Sequence, residues 1–279
     1  MVKLPVLAAA LGLLVGACAA TDSMKSRDLP PKPRYVAMGS SYASGVGIGE
    51  RQANTPERCY RSVSNYAMLL AARRNLELTD ASCSGATTDH VLGPWNELPA
   101  QINAVTSDTR LVTITIGGND LRFAAWLRAA SCRAGAIAEP CGSVPLPSEA
   151  DYAKLDRNLR AIAQEVRRRA PAARLVFVPY VALNSGKPCP LETIAPADAA
   201  AARIMAQRLA ATTRAAARDN RADVVDVDMA SKDHTPCSPI PWSLGFPSGY
   251  ERSQGAPWHP NAAGHAAIAD MLDTLLAKS

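Results

Sequence analysis

The sequence has no long run of Lys and Arg, no Cys-x-x-Cys pair and no cluster of His, and only four of its 279 residues are His. The net charge of +5 is spread along the chain, which argues against a nucleic acid as partner. The lack of grouped Cys and His ligands argues against a metal site. No apolar segment beyond the N-terminus is long enough to span a membrane. Apolar residues still make up 48% of the chain, enough for a sizeable core.

The N-terminus has the order of an export signal. Met1 to Lys3 is basic, and the apolar run from Leu4 to Val15 is followed by small residues. Val15-Gly16-Ala17-Cys18 resembles the lipobox of bacterial lipoproteins, in which the Cys is lipidated. We therefore expect a signal peptide at 1–19 and an extracellular or cell-surface protein. Membrane anchoring through lipidated Cys18 and free secretion after ordinary cleavage are both open.

A polar, proline-containing segment follows and has no hydrophobic period. We interpret residues 20–33 as a disordered tether and residues 34–279 as the folded domain.

Six cysteines remain when Cys18 is set aside, an even number that suggests three disulfides in an exported protein. Six cysteines allow about 15 pairings. Nearest-neighbour pairing is the simplest, and it would join Cys59 to Cys83, Cys132 to Cys141 and Cys189 to Cys237.

Apolar, strand-like runs alternate with amphipathic, helix-like segments through the domain. This alternation predicts βαβ units and a parallel sheet with both faces covered. Predicted strands are 35–38, 76–79, 110–116, 175–179 and 224–227, and the main predicted helices are 62–75, 151–170, 197–220 and 261–278. Ser62 or Ser64 is the expected cap of the first helix. Sites in such proteins lie at the carboxyl ends of strands.

Three short segments carry chemistry at such positions: Gly39-Ser40-Ser41-Tyr42, Gly117-Gly118-Asn119-Asp120 and Trp258-His259-Pro260-Asn261. Ser41 is a candidate nucleophile, Asn119 a candidate oxyanion donor and His259 a candidate general base, which are the roles that acyl transfer needs. Each segment has a plainer interpretation when taken alone. These are a Gly-Ser turn, an Asx helix cap and a structural loop histidine.

From about Arg34 to the C-terminus, these segments resemble the SGNH hydrolases, also called the GDSL esterase/lipase family. The resemblance implies that Ser41 is the nucleophile, that His259 is the base, and that Ser41, Gly85 and Asn119 form the oxyanion hole. It also implies a three-layer α/β/α sandwich with a central parallel sheet, which is flavodoxin-like. The six-cysteine layout is similar to that of secreted actinobacterial esterases and lipases, in which neighbouring cysteines pair.

Two positions depart from the family pattern. Ser40 stands where an Asp is usual, and Ala256 stands where Asp-x-x-His would place the acid that orients the histidine. Some secreted relatives use a main-chain carbonyl there, which makes the carbonyl of Ala256 the expected acceptor. Asp233 or Asp228 could instead supply a carboxylate.

We expect a secreted or lipid-anchored serine carboxylic ester hydrolase that acts on small-molecule or lipid esters, needs no metal or organic cofactor, and is a monomer. A carbohydrate O-deacetylase or acyltransferase on the same fold is the alternative enzyme. An inactive surface binding protein is the alternative of another class. Phe123, Trp126 and Leu127 could line an acyl pocket or pack in the core.

Overall fold

The computed structural model describes residues 1–2, 32–137, 140–251, 253 and 255–278. The expected signal peptide with Cys18, and nearly all of the expected tether, lie outside the described residues. Among the described residues, no helix is both long and apolar enough to cross a bilayer.

Five parallel strands form the central sheet in the order β2-β1-β3-β4-β5. Their bounds are Arg34–Gly39 (β1), Glu77–Asp80 (β2), Thr109–Thr115 (β3), Arg174–Phe177 (β4) and Asp223–Val224 (β5). All five coincide with predicted strands to within a few residues. β1 begins at Arg34, where the sequence analysis places the start of the domain.

Helices connect the strands and cover the sheet. Their bounds are Ser41–Ser44 (α1), Tyr66–Arg74 (α2), Thr88–Leu92 (α3), Phe123–Arg133 (α4), Glu149–Arg169 (α5), Pro196–Asp219 (α6), Val227–Ala230 (α7) and Ala262–Ala277 (α8). Short 3₁₀ helices span Glu57–Cys59, Gln101–Ala104 and Ser231–Asp233.

The strand order fixes the layers. The connection through α2 leads from β1 to β2 in one direction across the sheet, whereas the connections through α5 and α6 lead in the other direction. Because crossovers between parallel strands are right-handed, α2 lies on one face of the sheet and α5 and α6 lie on the other. α2 packs against α8, and α5 packs against α6. The chain is thus the expected three-layer α/β/α sandwich with a flavodoxin-like strand order.

Burial on both faces explains the composition of the middle strands. In β3 every residue except Arg110 is buried, with Leu111, Val112 and Ile114 in the core. A parallel strand covered on both sides gains from apolar residues at consecutive positions rather than at alternate ones.

The start of α2 differs from the prediction. The helix begins at Tyr66, and its cap is Asn65, whose side-chain oxygen accepts from the amide of Met68 at 2.9 Å. Ser62 lies four residues before the helix, where its hydroxyl donates to the carbonyl of Ile48 and accepts from the amide of Ser64 at 2.9 Å. Both residues are good N-caps, so composition alone does not choose between them.

The three disulfides join Cys59 to Cys83, Cys132 to Cys141 and Cys189 to Cys237. This is the nearest-neighbour pairing. The first of them ties the loop after β2 to the 3₁₀ helix Glu57–Cys59, and the amide of Ser84 donates to the carbonyl of Cys59 at 3.1 Å.

The side chain of Gln101 clamps the end of β1. Its Oε1 accepts from the amide of Gly39 at 2.7 Å, and its Nε2 donates to the carbonyl of Gly39 at 2.9 Å. Gln101 is only 6% exposed. A buried amide group that loses its partner costs more than the hydrogen bond itself contributes.

We therefore expect Gln101→Leu to lower the free energy of unfolding by about 1–3 kcal/mol, because the buried amide of Gly39 loses its acceptor. Urea unfolding followed by fluorescence would measure the change. Asn103→Leu, an exposed amide in the same 3₁₀ helix, is the matched control and should change the value by about 0.5 kcal/mol or less. Equal losses in the two variants would contradict the clamp.

Candidate functional site

Ser41 and His259 lie in contact although 218 positions separate them in the sequence. The hydroxyl oxygen of Ser41 is 2.9 Å from Nε2 of His259. Ser41 is the first residue of α1, directly after β1, and is 7% exposed. His259 lies in the loop before α8. The carboxyl edge of the sheet brings the two together.

Gly39 makes this turn possible. Its φ is +138°, and a Cβ there would collide with the carbonyl oxygen of Thr115 on β3. The chain can therefore leave β1 and enter α1 at Ser41 only with glycine at this position.

The imidazole of His259 is held in one tautomer. Its Nδ1 is 2.8 Å from the carbonyl oxygen of Pro257, which can only accept. Nδ1 must therefore carry the proton, and the Nε2 of a neutral ring is then free to accept from the hydroxyl of Ser41.

The expectation that Ala256 supplies this carbonyl is wrong by one residue. Trp258 has a φ of +56°, and this tight turn folds the carbonyl of Pro257 back onto the ring two positions later. The family's acidic side chain would stand three residues before His259. The main-chain oxygen that contacts the ring belongs instead to a residue two positions before it.

Three groups hold Trp258 in this unusual backbone conformation. Its indole nitrogen donates to the hydroxyl of Ser131 at 3.0 Å, its amide donates to the carbonyl of Leu244 at 3.0 Å, and its carbonyl accepts from the hydroxyl of Tyr42. Its side chain is 1% exposed. The hydroxyl of Tyr42 thus links the residue after Ser41 to the residue before His259.

Burial lowers the pKa of His259 from its ordinary 6.5 to about 4, and the hydrogen bond to Pro257 opposes this shift only in part. The low-dielectric surroundings disfavour the imidazolium. At neutral pH the ring is therefore uncharged, the form that can accept a proton.

The expected oxyanion donors are the amides of Ser41 and Gly85 and the side chain of Asn119. The amides of Ser41 and Gly85 donate to no acceptor within the described part of the chain. Gly85 follows β2 with a φ of +85°, and a Cβ there would lie 3.1 Å from the ring of Trp95. The side chain of Asn119 donates to the carbonyl of Ala86 at 2.9 Å, which leaves its second N–H available.

Asp120 joins the segments after β2 and β3. Its carboxylate accepts from the amide and the hydroxyl of Thr88, the first residue of α3. Burial raises the pKa of Asp120, and the bonds from Thr88 oppose that rise. Asp120 thus fixes the segment of Asn119 against that of Gly85.

Ser40 occupies the position where the family pattern has Asp. Its hydroxyl is 3.2 Å from the hydroxyl of Tyr180, which also accepts from the amide of Gly118 at 2.9 Å. Gly118 is obligatory here because a Cβ would lie 2.7 Å from that same hydroxyl. Ser40 and Tyr180 therefore connect the segments after β1, β3 and β4.

The two aspartates considered as partners of His259 have other surroundings. Asp228 accepts from Arg214 at 2.6 Å and 2.9 Å. Asp233 is exposed at the end of the 3₁₀ helix Ser231–Asp233. Within the described residues, no group of three or more His, Cys, Asp or Glu is arranged to hold a metal ion.

Sequence analysis missed Tyr42, Pro257, Tyr180 and Gln101. Tyr180 follows β4 just as Ser41 follows β1, so the rule of carboxyl ends could have found it. No sequence signal marks Gln101, whose contact with Gly39 depends on where the 3₁₀ helix packs.

Comparison with known proteins identifies the family. The family model of the GDSL-like Lipase/Acylhydrolase family matches residues 37–267, a span that holds all three chemical segments. The chain belongs to this family. A lipase from Streptomyces rimosus is 32% identical over 236 residues, which cover 83% of this chain and 82% of the lipase.

Two solved structures have a similar fold. The extracellular lipase of Streptomyces rimosus superposes with a TM-score of 0.68 at 28% identity, covering 87% of this chain and 99% of the lipase. Phospholipase A1 from Streptomyces albidoflavus gives 0.70 at 27% identity with the same coverage. This SGNH protein is a carboxylic ester hydrolase with three disulfides.

Replacing Asp233 by Ala should leave kcat/KM for a nitrophenyl ester within about twofold of the original, because a main-chain carbonyl already holds His259. Loss of a carboxylate that orients a catalytic histidine costs on the order of 10⁴ in rate. A fall of that size, in a variant that unfolds at the original temperature, would show that Asp233 reaches the ring.

Proposed function

We propose that the protein hydrolyses esters through a Ser41–His259 dyad and a covalent acyl-enzyme. The observation that carries the proposal is the 2.9 Å contact between the hydroxyl of Ser41 and Nε2 of His259. The bond from Nδ1 of His259 to Pro257 supports it, since it leaves Nε2 as the acceptor.

In the acylation step the hydroxyl proton of Ser41 passes to Nε2 as its oxygen bonds to the ester carbonyl carbon. The tetrahedral intermediate collapses, the bond to the alcohol oxygen breaks, and Nε2–H protonates the departing alcohol. Water then attacks the acyl-enzyme and gives a proton to Nε2. The bond between the acyl carbon and the oxygen of Ser41 breaks, Nε2–H returns the proton to that oxygen, and the acid is released.

The amides of Ser41 and Gly85 and the side chain of Asn119 hold the oxyanion in this proposal. Both amides lack an acceptor in the described part of the chain, and Asn119 keeps one unused N–H. Donors fixed in advance stabilise developing charge without reorganising, which is commonly a large term in catalysis. The bonds through Ala86 and Asp120 keep these donors in place.

The acyl group that the proposal favours is a short one. Ser41 borders a narrow recess walled by Tyr42, Asn119, Phe123 and Tyr180. Of the apolar residues considered for an acyl pocket, Phe123 lines this recess. Leu127 is fully buried and Trp126 nearly so, and neither borders the recess.

The proposal places the enzyme outside the cytoplasm, exported by residues 1–19 and held there either free or by lipidated Cys18. Three disulfides suit an oxidising compartment. The Streptomyces rimosus structure is that of an extracellular lipase. The disulfides and the extracellular relative both support export. The lipobox sequence is the feature that favours the lipidated form over the free one.

Ser41→Ala should fold and lose at least about a thousandfold in kcat for a nitrophenyl acetate or butyrate, since the nucleophile is gone. Stoichiometric labelling of the original protein by a fluorophosphonate, absent from the variant, would place the reactive group. Ser40→Ala is the matched control. It removes a neighbouring hydroxyl whose one hydrogen-bond partner among the described residues is Tyr180, and it should keep turnover within about tenfold. Full turnover in Ser41→Ala would refute the dyad. An original protein that shows neither turnover nor labelling would favour an inert binding protein.

The pH dependence of kcat/KM should reflect the lowered pKa of His259. The base must be neutral, and its pKa is lowered from 6.5 to about 4, so kcat/KM should stay level as pH falls through 6.5 and decline only toward 4. Initial rates with an activated ester from about pH 4 to 8, with folding checked by fluorescence at each pH, would test this. A half-maximal rate at or above the ordinary histidine pKa would contradict a buried neutral base.

A further inference from the structure

Two hollows lie side by side at the carboxyl edge of the sheet. One is the narrow recess at Ser41. The other is a cavity of about 320 Å³ bounded by the chain after β4 and by α6, with Val181, Leu183, Ala202 and Ala206 in its lining. Nothing in the proposed hydrolysis uses this cavity.

Phe123 and Tyr180 line both hollows and therefore form the wall between them. Tyr180 is tied in place by hydrogen bonds to Ser40 and Gly118 and by packing against Tyr42, with ring centroids 4.3 Å apart. Phe123 has no polar group to anchor it, and its ring is 1% exposed. Phe123 is thus the part of the wall that can be removed without breaking a hydrogen bond.

The size and lining of the cavity suit an alkyl chain. Ligand pockets in proteins hold roughly 300–1,000 Å³, so this one lies at the small end of that range. Apolar surface predominates in its lining, which also includes the polar residues Asn184, Ser185, Arg203, Gln207, Asp228 and Lys232. Each methylene moved from water into such surroundings favours binding by about fourfold.

We propose that Phe123 sets the upper limit of acyl length by closing the passage from the recess to this cavity. The cavity is then a binding site for the distal methylenes of a longer acyl chain, reached when the ring of Phe123 is absent or displaced. This inference rests on the proposed function, because the recess matters only if Ser41 is the nucleophile.

The test compares kcat/KM for nitrophenyl acetate and nitrophenyl decanoate in Phe123→Ala. The decanoate-to-acetate ratio should rise at least about tenfold over the original protein, as several methylenes gain a buried site. Phe123→Leu, which keeps more of the packing, should give a smaller rise and serves if the alanine variant does not fold. An unchanged ratio in a folded Phe123 variant that still cleaves acetate would overturn the proposal.

Two further variants distinguish removal of the wall between the recess and the cavity from a general loss of packing around the helix. Leu127→Ala removes a fully buried apolar side chain one turn along the same helix, bordering neither hollow, and should leave the ratio within about twofold. Ala206→Leu, added to Phe123→Ala, fills part of the cavity from α6 and should cancel the gain. An equal rise in Leu127→Ala, or a gain that survives Ala206→Leu, would overturn the proposal. If the original protein cleaved neither ester, the proposed function itself would fall, which is a different result from a flat ratio.

Discussion

The geometry of the site depends on the backbone of Trp258. A bulky residue at a φ of +56° is strained by about 1–3 kcal/mol, and surrounding contacts must hold it there. Burial of the indole, its bond to Ser131 and the hydroxyl of Tyr42 on its carbonyl supply those contacts. Only this turn brings the carbonyl of Pro257 to Nδ1 of His259 while Nε2 faces Ser41. A core residue thereby orients the imidazole of His259.

A second set of contacts ties together the loops that follow the strands. Gln101 holds the end of β1, Asp120 joins the loops after β2 and β3, and Tyr180 joins those after β1, β3 and β4. Ser40 takes part in the last of these contacts. The hydroxyl that replaces the family's usual carboxylate is therefore hydrogen-bonded, to Tyr180. The loops that carry Ser41, Gly85 and Asn119 are therefore fixed by neutral groups and by one half-buried carboxylate. Rigid loops of this kind suit a site that must place several donors around one oxygen atom.

Much of this was predictable because it follows from local pattern and one topological rule. Apolar runs located all five strands, and the carboxyl-edge rule together with the family resemblance selected Ser41, Gly85, Asn119 and His259. What sequence could not give depends on backbone turns and on packing between distant segments. Residue types do not reveal the left-handed turn at Trp258, so the acceptor was placed at Ala256 instead of Pro257. Likewise, Ser62, Ser64 and Asn65 are all residue types that cap helices, and their types do not reveal that the helix begins directly after Asn65.

The acceptor that orients His259 belongs to the peptide backbone, and this has a consequence for how the gene can vary. A carboxylate triad loses its acid through one nucleotide change, whereas every amino acid carries the same carbonyl oxygen and no codon encodes its removal. Point changes at Pro257 therefore act only through the shape of the loop. Insertions or deletions between Gly255 and His259 are the lesions that would take this oxygen away from the imidazole.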